Sequence, residues 1–139
     1  MTQSSFSPVT FDITGPLPGG TTVLEASAGT GKTYAIVGLA ARYVASGVPL
    51  SELLLVTFSR FATAELRERT RLRLADLARA LADPQRAAQS DDPLVAMLAR
   101  GSVEEVGVRR ERLTAALSDF DAATIATTHT FCSLSLIHI

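Results

Sequence analysis

Apolar and polar residues fall into blocks along this chain, and the block lengths separate strands from helices. Leu53-Leu54-Leu55-Val56-Thr57-Phe58 is a continuous apolar run. It predicts a strand buried on both faces, the signature of a parallel sheet. Thr21-Thr22-Val23-Leu24-Glu25 and Ala123-Thr124-Ile125-Ala126-Thr127 predict two further short strands. Between these runs the period lengthens. Lys32–Ser46 carries Ile36, Val37, Leu39, Ala40, Ala41, Tyr43 and Val44, apolar on most sides, which predicts a helix packed against a sheet. Gly47 is its expected C-cap and Pro49 its stop. Phe61–Ala82 predicts a long helix with Leu66, Thr70, Leu74, Leu77 and Leu81 on one stripe. Glu65 with Arg69 and Glu68 with Arg71 supply weak ion pairs on its outer face. Residues 83–92 form a polar break, and Pro93–Arg100 predicts a short helix. Ser102-Val103-Glu104-Glu105 is a capping box opening a helix to about Ser118. Val106, Leu113, Leu117 and Phe120 mark its buried side, and Gly107 is a weak spot within it.

Strand, helix, strand, helix, helical insert, strand is the order of an α/β fold with right-handed crossovers. Ligands on such sheets sit at the carboxyl ends of the strands. Three loops fall there, after Glu25, after Phe58 and after Thr127, and they are expected to form one site. Residues 1–20, with Pro8, Gly15-Pro16, Pro18 and Gly19-Gly20, read as an extended lead-in crossing the surface, with Phe6 and Phe11 as its expected anchors.

Composition narrows this picture without redirecting it. The chain has 139 residues, 47% hydrophobic and 19% charged, which suits one globular domain. The net charge of −1 announces no nucleic-acid partner overall, although a local phosphate site needs only a patch. Cys132 is the single cysteine, so an internal disulfide is excluded. No apolar run approaches the ~20 residues needed to cross a bilayer, and Met1–Pro8 carries no signal-peptide pattern. The expected compartment is the cytoplasm.

The chemistry concentrates in Ala26-Ser27-Ala28-Gly29-Thr30-Gly31-Lys32-Thr33. Gly29 and Gly31 allow a backbone nest whose N–H groups cradle phosphate oxygens. The following helix adds unpaired N–H groups and partial positive charge. Lys32 would reach the outer phosphates, and the Thr33 hydroxyl would ligate Mg²⁺. Lys32 is the only lysine beside twelve arginines, a sign that a compact ammonium is wanted there. Strict phosphate loops begin with Gly, and this one begins with Ala26.

At the second strand end, Thr57-Phe58-Ser59-Arg60-Phe61-Ala62-Thr63 offers hydroxyls and aromatics beside a helix N-terminus, suited to a phosphate backbone and to base stacking. From chemistry alone, Phe58 and Phe61 are more readily core residues. Arg67, Arg69, Arg71 and Arg73 spread around a helix and read mainly as a solvated face. Thr127-Thr128-His129-Thr130-Phe131-Cys132 follows the third strand; its His and Cys are too few for a zinc site.

These stretches resemble a known family. Ala26–Thr33 resembles motif I of the UvrD-like superfamily 1 DNA helicases, which use Ala at the first position. Leu54–Arg69 resembles motif Ia, especially in the RecB and AddA branch, and Thr127–Cys132 resembles the next motif, with its Thr-His-x-Phe-Cys pattern. The resemblance covers about residues 11–132. It implies a P-loop NTPase, a RecA-like parallel sheet flanked by helices, here as an incomplete helicase domain 1A over residues 21–132. It implies ATP and Mg²⁺ at Lys32 and Thr33, and single-stranded DNA at Thr57, Phe58, Thr63, Thr128, His129 and Phe131. It further implies ATP-driven 3′–5′ movement on single-stranded DNA in repair and recombination, exodeoxyribonuclease activity from a distant domain, and RecC- and RecD-like partner subunits. The motif II carboxylates and a second RecA-like domain do not follow, so this chain alone is expected to hydrolyse almost no ATP. Residues 133–139 do not continue the family's helix and are expected to be a non-native tail. A small P-loop kinase or a stand-alone nucleotide-binding module are the alternative readings.

Overall fold

The computed structural model describes residues 9–24, 31–120 and 124–127. Helix α1 (Lys32–Ser46) ends as its sequence dictates. Gly47 adopts φ 113°, and the pair Gly47 N–H to Val44 O (3.0 Å) and Val48 N–H to Tyr43 O (3.0 Å) makes a Schellman ending. Strand β1 (Leu54–Thr57) leads into α2 (Arg60–Ala80), whose N-cap Ser59 accepts from Ala62 N–H at 3.1 Å. The polar stretch after α2 is not all loop. Asp83 and Pro84 start a short helix α3 (Pro84–Ala88) because an N-cap carboxylate and a proline at the first turn favour one. Helix α4 (Pro93–Leu98) repeats the device with Asp92. Helix α5 (Val103–Ser118) opens with the full reciprocal box: Ser102 Oγ accepts from Glu105 N–H at 3.1 Å, and Glu105 accepts from Ser102 N–H at 3.2 Å.

Strand β2 (Thr124–Thr127) pairs parallel with β1, Leu54 opposite Thr124 and Thr57 opposite Thr127. The described residues hold these two strands and not three. Thr21–Leu24, expected as a strand, are exposed and carry no ladder. A strand needs an edge to bond, and no other described segment pairs with them. Glu25 lies outside the described residues.

The core is helical. Leu74, Leu77, Leu94, Leu113, Val106 and Thr70 are the largest side chains with essentially no exposure, drawn from α2, α4 and α5. The Thr70 hydroxyl is satisfied by Leu66 O at 2.7 Å. Among the described residues helix α1 packs chiefly on α2 and α5, and Ile36 is 40% exposed where a sheet was expected to cover it. Helix α2 is the element that meets both strands. Among the described residues one face of β1 is covered: Leu53 and Leu55 pack on the core, while Leu54 and Val56 stay 45% and 42% exposed. The apolar run was expected to be buried on both faces; the described helices supply one layer, not two. Leu117, placed on the buried side of α5, is half-buried.

The lead-in is tied down by residues other than its aromatics. Ile13 is buried against α1, whereas Phe11 is 39% exposed; Phe6 lies outside the described residues. Arg42, buried on α1, donates from Nη1 to Ile13 O (2.9 Å) and Gly15 O (2.6 Å), and Tyr43 Oη donates to Pro18 O.

Candidate functional site

The start of α1 has the geometry of an anion-binding turn. Gly31 is its N-cap at φ 94°, a left-handed conformation that glycine accepts without Cβ strain. The first intrahelical bond is Ala35 N–H to Gly31 O at 2.9 Å. The N–H groups of Lys32, Thr33 and Tyr34 therefore precede the ladder, and no side chain caps them. No acid stands in this turn to compete for an anion. Lys32 is exposed and Thr33 half-buried. The donor set fits a phosphate: three directed N–H groups, the positive end of a 15-residue helix, an ammonium and a hydroxyl. The hydroxyl of Thr33 is the group here that could ligate a Mg²⁺ carried by a nucleotide. Ala26, Ser27, Ala28, Gly29 and Thr30 lie outside the described residues.

Beside Thr33 lies an open pocket of ≈ 240 Å³, lined by Tyr34, Val37, Arg69, Leu72, Arg73 and Asp76. It lies between the start of α1 and the middle of α2. Arg73 holds its guanidinium 5.7 Å from the Tyr34 ring centroid. It also donates two hydrogen bonds to Asp92, Nη1 to Oδ2 at 2.6 Å and Nη2 to Oδ1 at 3.0 Å. Burial disfavours the Arg73 charge, yet the Asp92 bonds hold its pKa above the ordinary value. The same hydrogen bonds, set against partial burial, keep the Asp92 carboxyl below the usual carboxylate range. Asp92 also accepts from Leu94 N–H at 3.0 Å, capping α4.

The turn after β1 turns its aromatics outward. Phe58 is 98% exposed and Phe61 81%. Thr57 Oγ1 and Thr63 Oγ1 lie 2.6 Å apart, and each also reaches Ser59 O, at 3.2 and 2.9 Å. Each hydroxyl has one proton. One is spent on Ser59 O and the other on the neighbouring hydroxyl, so the two threonines stitch the turn. Parallel pairing at Thr57 and Thr127 means that the chain leaves β1 and β2 at the same edge. Thr128, His129 and Phe131 follow Thr127 in sequence and lie outside the described residues.

Two features escaped the sequence reading. Arg73 and Arg67 are not simply solvated: Arg73 is clamped by Asp92, and Arg67 sits 5.3 Å from the Phe120 ring centroid. Arg69 and Arg71 do form the expected pairs with Glu65 and Glu68, at 2.7 and 2.6 Å. Arg42 gave one available signal, a charge on the apolar side of a helix. Nothing local could reveal Arg73 with Asp92, 19 residues apart. Among the described residues no cluster of three His, Cys, Asp or Glu could hold a metal, and no helix is long and apolar enough to cross a membrane.

Residues 12–138 match the family described as UvrD/REP helicase N-terminal domain. The RecBCD enzyme subunit RecB of Mycobacterium tuberculosis is 54% identical over 125 residues, 88% of this chain and 11% of that protein. The RecBCD enzyme subunit RecB of Mycolicibacterium smegmatis is 50% identical over 129 residues, 91% of this chain and 11% of its own length. The RecBCD enzyme subunit RecB of Escherichia coli is 36% identical over 126 residues, 84% of this chain and 10% of its length. The chain thus spans about 11% of the length of the first of these relatives.

Proposed function

The chain belongs to the UvrD/REP helicase N-terminal domain family, and on that premise we propose that it is the nucleotide- and DNA-contacting N-terminal part of a RecB-like helicase/nuclease. The parent activity is ATP-dependent 3′–5′ unwinding in double-strand break repair and recombination, together with exonuclease action, in company with RecC- and RecD-like subunits. In this reading residues 21–132 are part of a RecA-like domain whose parallel sheet extends beyond β1 and β2.

One observation carries the nucleotide assignment: the exposed Lys32 and the half-buried Thr33 open an uncapped helix behind a left-handed Gly31. The N–H groups of Lys32, Thr33 and Tyr34 would hold phosphate oxygens, with Ala26–Thr30 completing the cradle. Lys32 would neutralise the charge that grows on the outer phosphates, and Thr33 would hold Mg²⁺. The metal supplies electrostatic stabilisation of the transferring phosphoryl group. Thr57 and Thr63 shape the turn after β1, and Phe58 presents its face to a base, with Thr128, His129 and Phe131 contributing from the same edge. Stacking on an aromatic is tolerant of base identity, which suits a motor that reads no sequence. Turnover needs further groups: an arginine finger alone is worth about 10³–10⁵ in rate. We therefore propose that these 139 residues by themselves bind nucleotide weakly and hydrolyse almost none.

The test is a titration of the 139-residue chain with a fluorescent ATP analogue and Mg²⁺. Lys32→Ala should weaken binding by about tenfold or more, the loss of one charge-assisted contact. Equal affinity in wild type and variant refutes the assignment. In the full-length parent the same substitution should abolish unwinding while leaving DNA binding largely intact.

A further inference from the structure

The first turn of α1 owns nothing that fixes its direction. Its N-cap is a glycine without a side chain, and its first N–H groups stand ahead of the hydrogen-bond ladder. Its aim therefore depends on contacts from outside the helix. Tyr34, in that turn, is half exposed, and the guanidinium of Arg73 lies over its ring. Arg73 is in turn immobilised by a two-point fork with Asp92, and Asp92 is immobilised as the N-cap of α4. Backbone, carboxylate, guanidinium and ring thus form one connected chain from α4 to the turn that bears Lys32 and Thr33.

We propose that Arg73, held by Asp92, is a positioning residue for the nucleotide site: it fixes Tyr34 and thereby the direction of the phosphate-facing N–H groups of Lys32, Thr33 and Tyr34. The proposal rests on the reading of Lys32–Thr33 as a phosphate site. Two of the five N–H donors of Arg73 are taken by Asp92 and one of its flat faces by Tyr34, which fixes the group in place. Lysine cannot replace it: an ammonium makes no planar fork and does not lie flat on a ring while doing so. A contact of this kind acts on the bound ground state and on the transition state alike, so in the parent enzyme it moves KM more than kcat.

The experiment measures the Kd of a fluorescent ATP analogue with Mg²⁺ for the 139-residue chain, with Lys32→Ala as the control. Arg73→Met and Tyr34→Leu should each raise Kd about three- to tenfold, the range of one cation–π contact. Combining them should add little, because both break the same contact. Arg73→Lys, which keeps the charge without the planar fork, should recover only part of the loss. A folded Arg73→Met with unchanged Kd overturns the proposal, as do effects that simply multiply in the double variant. Should Arg73→Met fail to fold, the exposed position decides: Tyr34→Leu with wild-type Kd overturns it equally. Lys32-dependent binding that ignores Arg73 and Tyr34 sinks this proposal alone. Absence of any Lys32-dependent binding sinks the phosphate-site reading and this proposal with it.

Discussion

Two helical glycines offer a comparison in which the same substitution should act with opposite sign. Gly107 lies in α5 and Gly38 in α1, and in either place alanine gains about 1 kcal/mol of helix propensity. A Cβ at Gly107 meets nothing within 4 Å. Gly107→Ala should therefore realise the gain, raising stability by roughly 0.5–1 kcal/mol. A Cβ at Gly38 stands 2.6 Å from Ile13 Cδ1 and 3.1 Å from Ile13 Cγ1, with Leu94 Cδ2 at 3.7 Å behind. Ile13 must shift, and overpacking of this kind costs about 1–3 kcal/mol. The ceiling is complete undocking of Ile13, about 1.5–3 kcal/mol of lost burial. Set against the propensity gain, Gly38→Ala should destabilise by about 1 kcal/mol, and the two variants should differ by about 2 kcal/mol. Urea unfolding followed by far-UV circular dichroism measures both. Ile13→Val removes the Cδ1 atom of the shortest contact, so in that background Gly38→Ala should lose most of its penalty. If Gly38→Ala stabilises the chain as much as Gly107→Ala does, the lead-in does not dock on α1 in the manner described.

Other consequences are as direct. Arg42→Met strands the carbonyls of Ile13 and Gly15, at a cost of about 1–3 kcal/mol, and limited proteolysis within residues 9–20 should accelerate; an unchanged cleavage rate argues against the tether. The Asp92 carboxyl titrates low in the fold because Arg73 bonds it. Its stabilising share is therefore complete above the ordinary Asp pKa of about 4 and is lost as pH falls through the depressed folded value. Asp92→Asn should flatten the acid limb of the stability profile, and an unaltered limb would show that the pair contributes nothing. Phe58→Ala should leave stability within about 0.5 kcal/mol, since the ring is 98% exposed. It should weaken single-stranded oligonucleotide binding by about 1–3 kcal/mol, read by fluorescence anisotropy; unchanged affinity removes Phe58 from the proposed DNA track.

What the sequence determined by itself was whatever closes within a turn or two of chain. The limits of α1, the Schellman ending at Gly47, the Ser102–Glu105 box and the Leu66-to-Leu81 stripe rest on contacts between near neighbours, and all are present in the fold. The family was legible for the same reason, because its resemblance rests on short contiguous runs, and the match over residues 12–138 bears it out. Tertiary structure alone decided what depends on partners far along the chain. A continuous apolar run cannot say how many layers will cover it, and among the described residues β1 has one covered face, with Leu54 and Val56 exposed. Phe58 and Phe61 read from chemistry alone as core, and the fold leaves both rings in solvent. Arg73 read as one charge among four until Asp92 and Tyr34 arrived beside it from elements remote in sequence. Periodicity encodes which face a residue occupies, but burial and pairing belong to whatever the rest of the chain brings to that face.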